Sequence, residues 1–380
     1  MSRNTLQELL DRIRPRYLQA SKKEKTAILD GFIATTGYHR KYAIHLLRHG
    51  LSLRPHRRRR KRTYPASLDT LLARMASVLG WPSTRYLHSF LPALLVSMEE
   101  HGEIVLTEEE RRLLLQMSPS TMERRLAPIR RREGSRLRRA PTKPGSRLQA
   151  RIPVRTWKDR PTSPGWMEFD LVAHSGSWSD GEFFWTINGV DFATGWTEFE
   201  VLPNRGERAA IASLEAMATR LPFALRGIDS DNDSAFINQH LFRYCQQRNI
   251  EFTRSRPYRK NDQAYIEQRN WTVVRQYVGY GRYETPEALA ALRKLYTVLR
   301  PWVNFFRPVV RLQEKEVKDG KVRRRYDRPQ TPYQRVMASS EVDPSVKEAL
   351  TRLYRSLNPV ALCKQISALQ EALWAHATVR

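Results

Sequence analysis

The feature that most constrains the fold of this chain is the alternation of apolar and polar residues over Trp166–Ala173. Apolar side chains occupy every second position, whereas Glu168 and Asp170 occupy positions between them. Side chains two residues apart share one face of a β-strand. The pattern therefore predicts a strand that buries one face and presents Asp170 on the opposite face.

Further elements follow this strand at short intervals. The predicted strands are Phe183–Val190, Trp196–Val201, Phe223–Asp229 and Ile250–Ser255, and the predicted helices are Arg208–Arg220, Ser234–Arg248 and Asn261–Tyr280. The order is three strands, helix, strand, helix, strand, helix. This order predicts an α/β domain.

Three carboxylates stand out within this domain. Asp170 lies on the first strand, Asp231 follows the fourth strand, and Glu267 lies about two turns into the last helix. Carboxylate oxygens suit Mg²⁺, and two such ions about 3.5–4 Å apart can activate an attacking oxygen and stabilise a leaving one. Aspartate and glutamate are abundant, so by residue type alone the trio is also compatible with chance.

The segments around these carboxylates carry a more specific pattern. Sixty residues separate Asp170 from Asp231, and thirty-five separate Asp231 from Glu267. The matching segments are Trp166-x-x-x-Asp170, Ser230-Asp-Asn with Phe236-Ile-Asn, and Asn261-Asp-Gln-Ala-Tyr-Ile-Glu-Gln-Arg-Asn270. Residues 160 to 310 resemble the catalytic core of the DDE transposase and integrase superfamily, and later phrases such as Trp302-Val-Asn-Phe-Phe resemble bacterial insertion-sequence transposases.

The resemblance implies an RNase H-like fold, a mixed five-stranded sheet with flanking helices. It implies that Asp170, Asp231 and Glu267 are both the catalytic residues and the ligands of two Mg²⁺ or Mn²⁺ ions. Asp233 stands where the family usually has glycine, and the zinc module of retroviral integrases is absent. We interpret Asp229 as structural and Asp191 as a turn residue.

The charge of the chain points to a polyanionic partner. Among 380 residues, Lys and Arg number 66 and Asp and Glu 39, a formal net charge of +27. Such a surface attracts nucleic acid. No apolar run reaches the ~18 residues needed to cross a bilayer, the first residues lack a signal-peptide core, and the two cysteines form no evident disulfide framework or metal pair. We expect a cytoplasmic, nucleoid-associated bacterial protein that makes no membrane contact.

The residues before the catalytic domain predict two helical DNA-binding units. In the first, Ser21 and Glu24 form a capping box, Gly37 ends a helix, and a basic helix with Arg40, Lys41 and Arg48 follows. This fits a helix-turn-helix, and a plain three-helix bundle with a solvated basic face is the alternative. The second unit ends in a basic helix after Ser118-Pro119.

Basic segments supply further predicted DNA contacts. Seven of the nine residues from Arg54 to Arg62 are Arg or Lys, which predicts an extended linker that lies along phosphates or is merely solvated. The predicted DNA-binding residues are Arg40, Lys41, Arg48, Arg57, Arg58, Arg59, Arg60, Arg124, Arg125, Arg254, Arg256, Arg259 and Lys260.

The C-terminal residues predict smaller elements. Asp319-Gly320 predicts a hairpin turn with a basic second strand, and Val346–Ala375 is helical with a break near Pro359. These last helices serve either self-assembly or capping of the core. Trp302, Phe305 and Phe306 form an aromatic group, for which core packing is a simpler interpretation than base stacking.

The predicted organisation runs in seven parts. These are a helix-turn-helix unit (1–53), a basic linker (54–66), a second helical unit (67–133), a second basic linker (134–160), the RNase H-like core (161–310), a small β module (311–335) and C-terminal helices (336–380).

The resulting hypothesis is a DNA transposase. It binds the ends of a mobile element, nicks them and joins the 3′-hydroxyl to target DNA by two-metal-ion phosphoryl transfer. The family usually acts as a multimer, so we expect a homo-oligomer on DNA, whereas no motif identifies an accessory ATPase. Two alternatives remain: an RNase H-like nuclease without joining activity, and a catalytically silent, transposase-derived DNA-binding regulator.

Overall fold

The chain divides into two compact units, which we describe separately. The computed structural model describes residues 2–51, 64–132, 161–178, 180–230, 239–254, 266, 269–318 and 321–378. The first unit spans Met1–Thr63 and the second Tyr64–Arg380.

The first unit is built from helices α1 (Arg3–Gln19), α2 (Lys22–Thr36) and α3 (Arg40–His49). The predicted capping box starts α2, and Gly37, with φ 70°, ends it. The buried side chains of the three helices form a small hydrophobic core: Leu6, Leu10, Tyr17, Leu29, Phe32, Ala43, Leu46 and Leu47.

The helix α1 is additional to the predicted elements. Leu6, Leu10, Ile13 and Tyr17 recur at intervals of four, three and four residues, which is the periodicity of an amphipathic helix. Pro15 lies inside the helix and obscures this signal, because proline usually ends or kinks one.

The second unit begins with four helices. They are α4 (Ser67–Val78), α5 (Thr84–Glu100), α6 (Glu108–Gln116) and α7 (Pro119–Arg132). The capping box Thr107–Glu110 begins α6. The buried side chains of these helices belong to one hydrophobic cluster with the helices that follow the sheet.

The centre of this unit is a mixed sheet, which has five strands among the described residues. These are β1 (Trp166–Ala173), β2 (Trp185–Asp191), β3 (Thr197–Leu202), β4 (Gly227–Ser230) and β5 (Glu251–Arg254), in the spatial order β3-β2-β1-β4-β5. β1 pairs antiparallel with β2 and parallel with β4. The prediction of a mixed five-stranded sheet with flanking helices is confirmed.

Both faces of the sheet are covered. One face packs against α8 (Glu207–Ala218) and α9 (Gln239–Gln247), and Met167 and Phe169 belong to that cluster. On the other face, Val172 packs in the larger cluster. Glu168 is fully buried, so the prediction that β1 buries only one face is wrong, because this central strand is covered from both sides.

The sheet is followed by a π-helix (Asn270–Arg275), which continues as α10 (Gln276–Val278). The remaining elements are α11 (Pro286–Phe306), a hairpin of β6 (Leu312–Lys318) and β7 (Lys321–Tyr326), α12 (Pro332–Ala338), α13 (Pro344–Ser356) and α14 (Pro359–Trp374). The predicted hairpin and the helix break before Pro359 are both present. No helix in the described part of the chain is long and apolar enough to cross a membrane.

The aromatic group at the end of α11 lies in the core. Trp302, Phe305 and Phe306 are each at most 2% exposed. Phe305 stacks on Tyr354 of α13, with ring centroids 6.1 Å apart. These rings therefore pack the interior and do not form a platform for nucleic-acid bases.

A glycine on β2 makes room for the central strand. A Cβ atom at Gly189 would lie 2.3 Å from Cε1 of Phe169 and 2.7 Å from its Cδ1. Phe169 is 1% exposed, so its ring has little space to move. Gly189 thus allows the Phe169 ring to cross beneath β2, beside the strand position that holds Asp170.

We predict that Gly189→Ala destabilises the second unit by about 1–3 kcal/mol, the usual cost of overpacking a core. All nine tryptophans lie beyond residue 63, so the fluorescence of urea-induced unfolding reports on this unit alone. Adding Phe169→Leu removes the clashing ring atoms and should recover part of the loss. A Gly189→Ala protein as stable as wild type would contradict the packing described.

Candidate active site

Asp170 lies in the middle of the sheet, and hydrogen bonds from Leu171 and Asn270 hold its carboxylate. Its Oδ1 accepts the backbone N–H of Leu171 at 2.8 Å. Its Oδ2 accepts Nδ2 of Asn270, at the start of the π-helix, at 2.5 Å. The side chain is half-buried, so the carboxylate is oriented by the protein and still reachable from outside.

A second amide supports the first. Asn188 on β2 is the register partner of Asp170, and its Nδ2 donates to Oδ1 of Asn270 at 2.8 Å. Asn188 is fully buried. The three side chains form a chain, Asn188 to Asn270 to Asp170, which fixes the direction in which the carboxylate points. Asn188 was not identified from the sequence, where its only signal is a polar residue inside an apolar strand.

Two further carboxylates are buried on the same face of the sheet. Glu168 is two residues before Asp170, and Asp229 on β4 is its register partner. Glu168 Oε2 accepts the backbone N–H of Ile266 at 3.3 Å, and Asp229 Oδ1 accepts the hydroxyl of Thr253 at 2.6 Å. Glu168 thereby anchors the backbone at Ile266, which lies within the last predicted helix of the domain.

The other two predicted ligands, Asp231 and Glu267, lie outside the described residues. Their chain neighbours are described. Ser230, which precedes Asp231, pairs with Phe169, and Ile266, which precedes Glu267, is fully buried. Both neighbouring residues lie beside β1, one through the strand pairing and one through the contact with Glu168.

The donor chemistry of this region fits a hard cation. In the described part of the chain, no group of three or more His, Cys, Asp or Glu side chains is arranged to hold a metal. The described oxygens near Asp170 are carboxylate and amide oxygens, which Mg²⁺ prefers. Among them, Oδ1 of Asn188 is buried and accepts no hydrogen bond from the described residues.

Asp191 has a structural role. Its carboxylate accepts the N–H of Gly165 at 2.8 Å and both the N–H and the hydroxyl of Thr194 at 2.7 Å. These contacts close the turn between β2 and β3. Burial raises the pKa of Asp191 to about 6.

Arg269, between Glu267 and Asn270, is buried without an acidic partner among the described residues. Its Nη2 donates to the carbonyl oxygen of Gly195 at 2.9 Å. Burial lowers the pKa of Arg269 to about 9, and the neighbouring Arg307 acts in the same direction. The sequence pattern did not mark Arg269 as special.

The predicted DNA-binding residues of the first unit lie on its surface. Arg40, Lys41 and Arg48 are exposed on α3. Arg40 forms an ion pair with Asp30 at 2.5 Å; both side chains are about half exposed, so this pair adds little stability. Arg57, Arg58, Arg59 and Arg60 lie outside the described residues.

The remaining predicted contacts differ in their surroundings. Arg124 on α7 is exposed, whereas Arg125 is tied to Asp69 and to the carbonyl oxygens of Tyr64 and Pro65. Arg125 therefore joins α7 to the beginning of α4. Arg254 is half-buried at the end of β5, and Arg256, Arg259 and Lys260 lie outside the described residues.

Among solved structures, the chain matches the catalytic cores of two retroviral integrases. The HTLV-2 integrase catalytic core domain in complex with magnesium (dimeric form) has a TM-score of 0.29 and 13% identity, over 38% of this chain and 90% of that chain. The catalytic core domain of BIV integrase in crystal form I has a TM-score of 0.30 and 13% identity, over 50% of this chain and 98% of that chain.

Comparison with protein sequences gives a close relative. No protein-family model matches the chain. The uncharacterized protein y4rM of Sinorhizobium fredii (strain NBRC 101917 / NGR234) is 41% identical over 338 residues, which cover 88% of this chain and 96% of y4rM. The chain therefore belongs to the same protein family as y4rM.

Proposed function

We propose that this protein is a DDE-type DNA transposase. The observation that carries the proposal is the position of Asp170. It lies on the central strand β1, beside the end of the parallel strand β4, and Asn270 orients its carboxylate. In the sequence, Asp231 directly follows β4 and Glu267 directly follows Ile266, which supports the proposal that the three carboxylates of the motif meet near this position.

Covalent geometry supports a convergence of the three carboxylates. Consecutive Cα atoms are about 3.8 Å apart, so Asp231 cannot be far from Ser230, nor Glu267 from Ile266. Ser230 pairs with Phe169, the residue before Asp170. Ile266 donates to Glu168, two residues before Asp170. Asp231 and Glu267 thus each follow directly after a residue whose backbone contacts β1.

In this proposal, Asp170, Asp231 and Glu267 hold two divalent cations. When bound, Mg²⁺ or Mn²⁺ would activate the attacking oxygen and stabilise the leaving oxygen of a phosphodiester. Asn270 keeps Asp170 turned toward the cations, and Asn188 keeps Asn270 in place. Water is the attacking group for nicking and a DNA 3′-hydroxyl is the attacking group for joining, so the chain supplies no nucleophile.

The remaining parts of the chain bring DNA to this site. The net charge of +27 gives affinity for phosphates that does not depend on sequence. Exposed basic side chains lie on α3 and on the hairpin strand β7, where Arg323, Arg324 and Arg325 face solvent. We propose that the helical units bind element ends and that a homo-oligomer pairs two of them.

Replacing Asp170 tests the metal assignment. We predict that Asp170→Asn binds DNA as well as wild type but loses Mg²⁺- or Mn²⁺-dependent cleavage, by more than the roughly 10–100-fold that changes outside the ligand set cost. The assay uses purified protein and DNA that carries the sequences flanking the gene, with cleavage and strand-transfer products separated on denaturing gels.

The matched control is Asp180→Asn, which makes the same charge change at an exposed side chain and should cleave as wild type does. Cleavage retained by Asp170→Asn would overturn the assignment. Cleavage without joined products would instead indicate a nuclease. Binding by wild type with no cleavage in either metal would indicate a regulator.

Replacing Asn270 tests its positioning role. We predict that Asn270→Ala lowers cleavage about 10–100-fold and raises the Mn²⁺ concentration required for half-maximal activity, because the carboxylate of Asp170 loses its orienting donor. DNA affinity should change little, whereas the unfolding midpoint should fall modestly, because Nδ2 of the buried Asn188 loses its acceptor. An unchanged Mn²⁺ requirement would contradict this role, even if activity fell.

A further inference from the structure

A cavity of about 190 Å³ lies within the second unit, and its lining does not include Asp170. Its walls come from the α4–α5 connection, the turn between β2 and β3, the π-helix and the link after α11. Ser83 at its edge is exposed, whereas Arg269 on its wall is 6% exposed. The cavity therefore extends from the surface to a buried guanidinium.

Two arginines on this wall have only neutral partners among the described residues. Arg269 donates to the carbonyl oxygen of Gly195 at 2.9 Å. Arg307 donates to the carbonyl oxygen of Thr272 at 2.9 Å, to the hydroxyl of Tyr277 at 2.9 Å and to Oε1 of Gln276 at 3.3 Å. A buried charge without an opposite charge is costly; Arg269 is buried, and the half-buried Arg307 adds a second positive charge to the same wall.

Among the described residues, the carboxylate on the wall makes no hydrogen bond to either arginine. Asp191 also lines the cavity, but its two oxygens accept hydrogen bonds from Gly165 and Thr194. Arg311 adds a third guanidinium to the same wall, where it interacts electrostatically with the carboxylate of Asp191. The lining therefore leaves Arg269 and Arg307 without an acidic hydrogen-bond partner among the described residues, and a bound anion would compensate their charge.

The size of the cavity limits the ligand. Sites for drug-sized molecules measure about 300–1,000 Å³, so a volume of about 190 Å³ suits one small group. Guanidinium groups present planar forks that match the oxygens of phosphate and carboxylate. The chain carries a net charge of +27, which attracts polyanions such as nucleic acid. We therefore favour phosphate over carboxylate as the bound group.

We propose that this cavity binds a single phosphate-type oxyanion between Arg269 and Arg307. The phosphate comes either from a DNA backbone or from free inorganic phosphate. Because Arg269 lies two residues after Glu267 in the chain, an anion bound here would hold the segment that contains that carboxylate. The binding itself does not depend on the proposed transposase chemistry.

Thermal unfolding followed by tryptophan fluorescence tests the proposal. Sodium phosphate should raise the midpoint of wild type by about 2–4 °C above sodium chloride at the same ionic strength, which controls for screening. Arg269→Gln and Arg307→Gln should each abolish this phosphate-specific shift. Arg293→Gln, the same change at an exposed position on α11, should retain it.

The readout is the difference between the two salts, so a variant with altered basal stability remains informative. If Arg269→Gln does not fold, Arg307→Gln carries the same test. No phosphate-specific shift in wild type would overturn the proposal. An undiminished shift in the folded arginine variants would also overturn it.

Two further measurements separate the sources of the anion. If the anion is a DNA phosphate, dimethyl phosphate should also stabilise wild type. In that case Arg269→Gln should make the slope of log K for duplex-DNA binding against log salt less negative by about 0.9. For free phosphate, dimethyl phosphate should have no effect and the slope should stay unchanged. Either result supports the oxyanion site.

Discussion

The parallel pairing of β1 with β4 is the constraint on which the rest of the site depends. It fixes Glu168 opposite Asp229 and Phe169 opposite Ser230. Two strands about sixty residues apart in the sequence therefore lie side by side. Parallel strands cannot be joined by a tight turn, and here β2, β3 and α8 form the connection. Packing on both faces holds the pair, with α8 and α9 on one side and the cluster around α11 on the other.

The face that carries Asp170 is unusually polar for the interior of a sheet. Glu168, Asn188, Thr186 and Asp229 are all at most 3% exposed. Each has a defined role: Glu168 accepts from Ile266, Asn188 supports Asn270, Thr186 bonds His174 and Tyr296, and Asp229 accepts from Thr253. Buried polar groups of this kind are costly unless they are paired. Here they orient the half-buried carboxylate of Asp170 and anchor the backbone at Ile266, the residue before Glu267.

The sequence predicts the sheet well because its signals are local. Alternation over Trp166–Ala173 predicts β1 to the residue, and Asp319-Gly320 predicts the hairpin. Burial of Glu168 could not be predicted, since strand periodicity does not reveal whether a second layer covers the polar face. The roles of Asn188 and Arg269 depend on contacts across 82 and 74 residues, which no local pattern contains. The same limit applies to α4–α7, whose buried residues share a cluster with α11 and α14, although composition alone suggests a separate unit.

The central claim is that Asp170, Asp231 and Glu267 share one pair of cations, and localised oxidative cleavage of the polypeptide tests it most directly. Fe²⁺ in place of Mg²⁺, with ascorbate and peroxide, cuts the backbone next to the bound metal. The account predicts three sets of fragments, ending near residues 170, 231 and 267, all suppressed by excess Mg²⁺ and all lost in Asp170→Asn. Cleavage at only one of these segments, or cleavage that persists in Asp170→Asn, would contradict a shared metal site.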